Sequence, residues 1–266
     1  IVVQEADGTE ETYTLKAVKS GTGIGVQDLV IVFVKGIFTK DTIRQNLSMI
    51  GSNTLVMTLQ NGAGNDRKIA KYVKTENIII GTSKHNSVNL GGGKIRHSGN
   101  GVTTIGSNLE ENVHLQTVAD LLSEAGFQSA VSDDIQRIIW SKLFVNLSIN
   151  TFTAITETPI AYMIENQYAW DFAEKMICEA VDVAEADGTH FSYMEVLDMV
   201  HHVCENAGKG YSSMYQDVKR CIPTEIDAIN GAIVEQARRY NVSVPYNSLI
   251  VDLIHAIEGA YKYRKE

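Results

Sequence analysis

Residues 28–35 read Asp-Leu-Val-Ile-Val-Phe-Val-Lys, and this stretch decides the fold class of the first half of the chain. Its β-branched and aromatic residues are typical of a strand. A strand that is apolar on both faces is expected in a parallel sheet whose two faces are covered by helices. The sequence that follows predicts a helix at 39–49, a strand at 54–58, a helix at 66–72 and a strand at 78–80. This alternation predicts a doubly wound α/β layer.

Two glycine-containing segments predict antiparallel strands beside this layer. At the start of the chain, residues 1–3 and 12–15 surround the turn signal Asp7-Gly8 and predict a hairpin. Residues 86–107 are rich in glycine and predict further strands joined by turns. Residues 113–125 then predict a helix that ends at Gly126.

The character of the sequence changes at Asp133. Asp133-Asp134 is a helix-start signal, and the residues after it are apolar almost all the way round a helix, which predicts a buried central helix. Further helices are predicted at 168–186, 193–206, 224–240 and 248–263, and no strand is predicted after Ser132. The sequence therefore predicts an α/β domain at residues 1–132 and an all-helical domain at residues 133–266.

Charge and cysteine usage exclude several classes of function. The 266 residues carry a formal net charge of -9, and an acidic surface repels phosphate backbones, so nucleic-acid binding is not expected. Cys178, Cys204 and Cys221 form no CxxC pair, so no metal site is predicted and the thiols are expected to be reduced. No uninterrupted apolar run reaches the roughly 20 residues of a membrane span, and no signal peptide is recognisable, so a cytoplasmic protein is expected.

Residues 21–25, Gly-Thr-Gly-Ile-Gly, resemble a dinucleotide-binding loop in composition only. Such a loop follows a strand and opens a helix, so that phosphates meet the helix N-terminus. Here the glycines precede the strand at Leu29, so a flexible loop is expected.

Three polar residues, Lys142, Asn146 and Asn150, interrupt the apolar central helix. On an α-helix a step of four residues rotates by about 40°, so the three share one stripe about 12 Å long. Buried amides and a buried ammonium are costly unless something pairs with them, and a ligand with hydroxyls and a carboxylate would do so. A desolvated lysine is also a competent general acid. The alternative is a lysine that extends to solvent and asparagines that bind neighbouring backbone.

Two loops at the carboxyl ends of predicted strands carry further candidates. Lys35 ends the first strand, and Asn61 lies in the loop 59–64 after the second. Ligands bind beyond the carboxyl ends of strands in open α/β sheets, and a lysine there can meet a phosphate or, alternatively, face solvent. Residues 212–217 and 224–227 are polar too, but helix capping by Ser212 and Thr224 suffices to explain them.

Taken together, these segments resemble the ketopantoate reductase family over essentially the whole chain. The resemblance lies in residues 28–35, Leu59-Gln60-Asn61-Gly62-Ala63-Gly64, Trp140-Ser141-Lys142 with Asn146 and Asn150, Thr153-Ala154-Ile155, Ser212-Ser213-Met214-Tyr215-Gln216-Asp217, Thr224-Glu225-Ile226-Asp227, Asn230-Gly231 and Val244-Pro245-Tyr246-Asn247. It implies a Rossmann-like NADP-binding domain followed by an all-α substrate domain of the 6-phosphogluconate-dehydrogenase-like type. It also implies an oxidoreductase that reduces 2-dehydropantoate to (R)-pantoate with NADPH, in pantothenate and coenzyme A biosynthesis.

The resemblance further implies a role for each candidate residue. Lys142 matches the catalytic lysine that protonates the C2 oxygen of the substrate as hydride arrives. The positions that hold the substrate are matched by Asn61, Asn146, Asn150 and Ser213. The positions near the cofactor are matched by Lys35 at the extra phosphate, Asn61, the backbone of Ser87, and Glu225 beside the substrate and nicotinamide.

Two departures from the family pattern leave alternatives open. The family's first strand and glycine-rich cofactor loop lie before the point where this sequence starts, so one βα unit of roughly 30–40 residues is expected to be absent. Ile160 stands where a polar substrate contact is expected. The alternatives are a reductase of another 2-oxo acid, an enzyme acting on a 3-hydroxy acid, and a non-catalytic reductase-like binding protein if the nucleotide loop is missing. A homodimer is compatible with the resemblance, because family members occur as monomers or dimers.

Overall fold

The computed structural model describes residues 1–109 and 111–264, and the chain divides into two compact units. The first, the sheet unit, comprises Ile1–Val34, Phe38–Gln60 and Asp66–Ile135, and the second, the helical unit, comprises Lys35–Ile37, Asn61–Asn65 and Gln136–Glu266. Two short loops from the first half of the sequence therefore group with the helices of the second half. Both loops carry candidate site residues, Lys35 and Asn61.

The first half of the chain alternates strands and helices, as the sequence predicts. Its described strands are β1 (Val2–Gln4), β2 (Glu10–Thr12), β3 (Leu29–Val32), β4 (Leu55–Thr58), β5 (Ile78–Ser83), β6 (Asn86–Gly91), β7 (Lys94–Gly99), β8 (Thr103–Gly106) and β9 (Ser129–Val131), and its α-helices are α1 (Thr39–Gln45), α2 (Asn65–Ile69) and α3 (Leu115–Glu124). Gly126 follows α3 with a φ of 90°, in the left-handed region that favours glycine after a helix.

A five-stranded sheet with the order β3-β4-β5-β8-β9 forms the core of the sheet unit. β3, β4 and β5 are parallel to one another, β8 is antiparallel to β5, and β9 is parallel to β8. Met57, Ile79 and Ile105 are fully buried and cluster with Val118 and Leu122 of α3. The predicted α/β layer is confirmed.

A second sheet has the order β2-β1-β7-β6 and confirms the predicted hairpins. β1 and β2 are antiparallel, but β2 begins at Glu10, two residues before the predicted start. The reason is a tight turn, because the Asp7 carboxylate accepts a hydrogen bond from the Thr9 backbone N–H at 2.9 Å. β6 and β7 pair antiparallel, with Ser87 opposite His97 and a register irregularity between Asn86 and Ser87.

The prediction that residues 28–34 form a strand buried on both faces is wrong in one respect. In the described residues β3 is an edge strand that pairs with β4. Val32 is buried with 3% exposure, whereas Ile31 and the following Phe33 are 38% and 67% exposed. The continuous run of β-branched and aromatic residues therefore identified the strand correctly but did not fix its place in the sheet.

The helical unit consists of helices and connecting loops in its described residues. The central helix runs through α4 (Ile135–Val145), a π-helical turn (Asn146–Asn150) and α5 (Thr151–Thr156), and it is followed by α6 (Tyr162–Glu165), α7 (Gln167–Ala186), α8 (Tyr193–Ala207), α9 (Ser213–Lys219), α10 (Asn230–Tyr240) and α11 (Pro245–Gly259). Phe144 and Leu147 are fully buried in a core that also contains Met176, Val196 and Ile254. The predicted buried central helix is confirmed.

The central helix is also the one described helix that is long and apolar enough to cross a membrane by length and composition. The sequence prediction missed it, because Lys142 and the two asparagines interrupt the apolar run while the average over the window remains apolar. In that window 61% of the helix is buried inside the protein, so the core packing accounts for its apolar character.

One predicted helix is wrong at its start. Residues 224–240 do not form a single helix, because residues Ile226–Ala228 form a 3-10 turn and Ile229 leaves the helical conformation with φ -102° and ψ -92°. α10 begins only at Asn230. α11 begins at Pro245 rather than Ser248, since proline is favoured in the first turn of a helix.

Candidate active site

The central helix changes its winding at the two candidate asparagines. α4 ends at Val145, residues Asn146–Asn150 form a π turn, and α5 begins at Thr151. A π turn closes i→i+5 hydrogen bonds, is wider than an α turn, and is frequent at functional sites. The prediction of one regular α-helical stripe is therefore wrong within this turn, because Asn146–Asn150 follow π-helical rather than α-helical winding.

Hydroxyl side chains accompany the change of winding. Ser148 Oγ donates to the Phe144 carbonyl at 2.8 Å, Thr151 Oγ1 to the Leu147 carbonyl at 2.7 Å, and Thr153 Oγ1 to the Ile149 carbonyl at 2.8 Å. Serine and threonine that bond the carbonyl four residues earlier compete with the backbone ladder and bend helices. This spacing of hydroxyl residues is the sequence signal that could have indicated the irregular turn.

The three polar side chains of the central helix differ in how far they are exposed to solvent. Asn150 is 7% exposed, whereas Lys142 and Asn146 are half-buried. Lys142 and Asn146 therefore keep part of their surface exposed, while Asn150 lies in the interior. Such a gradient suits a small acid whose polar groups are partly withdrawn from water.

A buried hydrogen-bond network that the sequence prediction missed supports the π turn. Asn230, fully buried, donates from Nδ2 to the Leu147 carbonyl at 3.1 Å and to Asn247 Oδ1 at 3.0 Å. Asn247 in turn donates from Nδ2 to Glu179 Oε2 at 2.8 Å. The pairs Asn230-Gly231 and Tyr246-Asn247 stand in the quoted motifs, but their sequence gives no sign that these amides meet behind the central helix.

Asn61 and Glu225, distant in sequence, are brought together. Asn61 Nδ2 donates to Glu225 Oε2 at 3.2 Å. The loop is held there because the Ala63 backbone N–H donates to the Ala228 carbonyl at 3.0 Å and because Gly62 has a φ of 82°. A Cβ atom at Gly62 would overlap the Ala228 carbonyl, so only glycine allows the loop to approach so closely.

Lys35 makes contacts that the sequence did not predict. Its Nζ donates to Asp217 Oδ2 at 2.7 Å and to the Pro223 carbonyl at 2.7 Å. Burial raises the pKa of the Asp217 carboxyl above its ordinary value, and the hydrogen bond and charge of Lys35 oppose that rise. Lys35 therefore anchors the segment that leads to Glu225. To bind a phosphate as well, the Lys35 ammonium must share its three hydrogen-bond donors between the phosphate and these two partners.

Ser213 is exposed and is the first residue of α9. The residue before it, Ser212, is buried and caps the helix, because its Oγ accepts a hydrogen bond from the Tyr215 N–H at 3.1 Å. The Thr153 hydroxyl lies 2.7 Å from the same Oγ, at hydrogen-bond distance, and this contact ties α9 to α5. The predicted capping role of Ser212 is confirmed.

Ser87, the remaining candidate, lies in β6 of the sheet unit, next to a chain of three titratable side chains. His97, which faces Ser87 across the β6–β7 pair, approaches Glu5 Oε2 through Nδ1 at 2.7 Å and His85 Nδ1 through Nε2 at 3.0 Å. The register irregularity between Asn86 and Ser87 lies beside this chain. The sequence prediction did not include these histidines.

Comparison with known proteins covers both halves of the chain. Residues 1–110 match the family described as "Ketopantoate reductase PanE/ApbA", and residues 134–258 match "Ketopantoate reductase PanE/ApbA C terminal". The 2-dehydropantoate 2-reductase of Halobacterium salinarum is 32% identical over 253 residues, which are 95% of this chain and 83% of that protein. The chain belongs to the ketopantoate reductase family. It is an NAD(P)-dependent oxidoreductase by that membership.

Further relatives extend the likeness. The 2-dehydropantoate 2-reductase of Lactococcus lactis is 31% identical over 239 residues, covering 88% of this chain and 77% of that protein. A solved structure of D-mandelate dehydrogenase with NADH and anilino(oxo)acetate matches with a TM-score of 0.92 and 29% identity, covering 98% of this chain and 86% of that one. The predicted fold class, an α/β domain followed by a helical domain, is confirmed.

Proposed function

We propose that the protein reduces 2-dehydropantoate to (R)-pantoate with NADPH, a cytoplasmic step in pantothenate and coenzyme A biosynthesis. The observation that carries the proposal is Lys142, half-buried one turn before the π turn that presents Asn146 and Asn150. Relatives about 30% identical are named 2-dehydropantoate 2-reductase, which supports this substrate. We assign cofactor binding to residues 1–132 and substrate binding with catalysis to residues 133–266.

The polar groups fit a nicotinamide cofactor by type. We assign the Lys35 ammonium, the Asn61 amide, the Ser87 backbone and the Glu225 carboxylate to it, because these donors and acceptors match phosphate, ribose hydroxyl and carboxamide groups. NADPH, when bound, supplies the hydride. Glycine at position 62 lets the Asn61 loop lie against the Ala228 carbonyl, and this close approach holds the Asn61 amide next to Glu225.

The remaining chemistry belongs to the helical unit. Reduction of a ketone builds negative charge on its oxygen, so an ammonium at Lys142 stabilises that charge and donates the proton that completes the alcohol. The Asn146 and Asn150 amides and the Ser213 hydroxyl orient the acid by hydrogen bonds. The Asn61 amide holds the Glu225 carboxylate by a hydrogen bond of 3.2 Å.

The decisive test is ketopantoate-dependent oxidation of NADPH by protein expressed from the full reading frame. Lys142→Ala should lower kcat at least about a hundredfold, the contribution of a positioned general acid. Lys71→Ala, an exposed lysine in the sheet unit, serves as the matched control and should retain full activity. Turnover that survives Lys142→Ala would remove Lys142 from the mechanism.

A second candidate is reduction of a different 2-oxo acid, one with an apolar or aromatic substituent. Ile160 is half-buried and packs against the helical core, where a polar substrate contact is expected. The likeness to D-mandelate dehydrogenase also favours this candidate. The ratio of kcat/KM for ketopantoate to kcat/KM for phenylglyoxylate, measured with NADPH and with NADH, separates the two. A ratio below one would select the second candidate.

A further inference from the structure

His255 on α11 bridges two carboxylates, those of Asp227 and Glu258, close to the segment that contains Glu225. Its Nε2 lies 3.0 Å from Asp227 Oδ1, and its Nδ1 lies 3.0 Å from Glu258 Oε2. Asp227 belongs to the 3-10 turn after Glu225, and Glu258 lies one turn further along α11. Both ring nitrogens of His255 are thus committed to acidic partners.

Glu258 extends the bridge to the residue before Glu225. Its Oε1 accepts hydrogen bonds from the Thr224 backbone N–H at 2.7 Å and from Thr224 Oγ1 at 2.8 Å. Thr224 Oγ1 in turn accepts the Ile226 N–H at 3.2 Å. We name the chain of contacts Asp227–His255–Glu258–Thr224 the Glu225 clamp. It ties Thr224, just before Glu225, and Asp227, two residues after Glu225, to α11.

The number of protons on the ring decides whether the clamp is complete. A neutral imidazole donates from one nitrogen only, whereas the imidazolium donates from both. Asp227 and Glu258 are both acceptors when ionised, so only the charged ring satisfies both. When the ring loses one proton, the lone pair of one ring nitrogen faces a carboxylate. That carboxylate and the nitrogen then repel each other, and one contact of the clamp is lost.

The surroundings favour the charged ring. Burial opposes charging, but hydrogen bonds and negative charge from Glu258 and Asp227 outweigh it and raise the pKa of His255 above its ordinary value. Burial likewise opposes ionisation of Glu258, but hydrogen bonds from Thr224 and His255 outweigh it and lower the pKa of that carboxyl. Asp227 and Glu258 are the titratable groups that face the ring, while Asp217 and Tyr261 interact electrostatically with Glu258.

We propose that His255 is a positioning residue for Glu225. The charged His255 ring closes the Glu225 clamp and makes the reductase more efficient on the acid side of neutrality than on the alkaline side. The proposal rests on the proposed function, since it takes Glu225 to lie beside substrate and nicotinamide. His255 itself contacts Asp227 and Glu258 and acts on the reaction only through the segment that they hold.

The test compares wild type with H255Q and H255K across pH. Glutamine is neutral throughout, whereas lysine remains a cation from about pH 6 to about pH 9. The ratio of wild-type to H255Q kcat/KM should be about tenfold at about pH 6, because the neutral glutamine leaves Glu225 less well positioned than the charged ring does. The ratio should fall toward one at about pH 9, where the histidine ring is neutral as well. The ratio of H255K to H255Q should not change with pH. A wild-type to H255Q ratio that is equal at both pH values would overturn the proposal.

A second measurement follows the clamp without any turnover. The folded-state pKa of His255 lies above its unfolded value, so its stabilisation is complete below the unfolded pKa of about 6.5 and disappears as pH rises through the folded pKa. Tm of wild type should therefore exceed that of H255Q by about 2 °C at about pH 6 and by nothing at about pH 9. His202→Gln, a more exposed histidine of the same unit, is the control and should show no such pH dependence.

The two measurements separate the possible failures. A pH-dependent Tm difference with parallel kcat/KM profiles would show a clamp that does not position Glu225, and the proposal would fall. A Tm difference that does not change with pH would contradict the clamp itself. Absence of turnover with every 2-oxo acid tested would overturn the proposed function and this role of His255 with it, even if the Tm difference is present.

Discussion

The two units differ in what fills their interiors. The sheet unit buries Met57, Ile79 and Ile105 on its central strands, and its buried polar side chains are mostly threonine hydroxyls. The helical unit buries polar groups beside its apolar core, and Glu179, Asn230 and Asn247 are 8%, 0% and 0% exposed. Apolar packing tolerates substitutions of similar size, whereas a buried polar network fails when one member leaves the others unpaired. The helical unit should therefore be the more sensitive to single polar substitutions.

The largest effect is expected at Glu179, which caps α11 from another helix. Its Oε1 accepts the Tyr246 N–H at 2.8 Å, and its Oε2 accepts the Asn247 N–H at 2.9 Å and Asn247 Nδ2 at 2.8 Å. α11 has no side-chain cap of its own at Val244, so Glu179→Ala removes the acceptor of the Tyr246 and Asn247 N–H groups and leaves Asn247 Nδ2 with the Met176 carbonyl alone. We expect a loss of about 3–4 kcal/mol in the free energy of unfolding, measured by urea denaturation.

The control for Glu179 is Glu235→Ala on α10. Glu235 is exposed and pairs with Arg239 at 2.7 Å, and an exposed pair of this kind contributes below about 1 kcal/mol. Equal losses for the two variants would mean that the buried network is no more sensitive than the surface.

The next effect compares two glycines with positive φ, one in each unit. Gly62 has φ 82° and lies against the Ala228 carbonyl, whereas Gly92 has φ 59° and no atom within 4 Å of a Cβ placed there. Gly92→Ala should cost only the left-handed strain of about 1–2 kcal/mol. Gly62→Ala must in addition displace the loop that carries Asn61, so kcat/KM should fall at least about tenfold. Similar kcat/KM values in the two variants would contradict the close approach at Gly62.

The fold could be predicted from sequence to the extent that local periodicity determines it. The run at 54–58, the glycine at 126 and the apolar helix after Asp133 each specify their own element, and the structure confirms all three. The break at Ile229 could not be predicted, because the segment before it is held by long-range hydrogen bonds: Thr224 donates to Glu258, and the Ala63 N–H donates to the Ala228 carbonyl of the 3-10 turn. Propensity alone favours one continuous helix over that segment.

The candidate site was predictable where polar residues interrupt an apolar pattern. Lys142 and Asn150 stand out for that reason on the central helix. Asn61 and Glu225 could be linked only through the resemblance, since 164 positions separate them. Asp217, His97 and His255 were missed, because each is one of many charged or aromatic residues until the fold gives it a partner.

The smallest effect concerns the apolar strand whose burial the sequence overestimates. Val32 and Phe33 are neighbours in sequence, yet they are 3% and 67% exposed. Burial of a valine side chain contributes about 1.5–3 kcal/mol, so Val32→Ala should lower the free energy of unfolding by about 2 kcal/mol. Phe33→Ala removes a larger side chain but should cost below about 0.5 kcal/mol, because most of its surface already faces solvent. Urea denaturation of the 266-residue chain measures both, and a larger loss for Phe33 than for Val32 would reverse the assignment of the covered face.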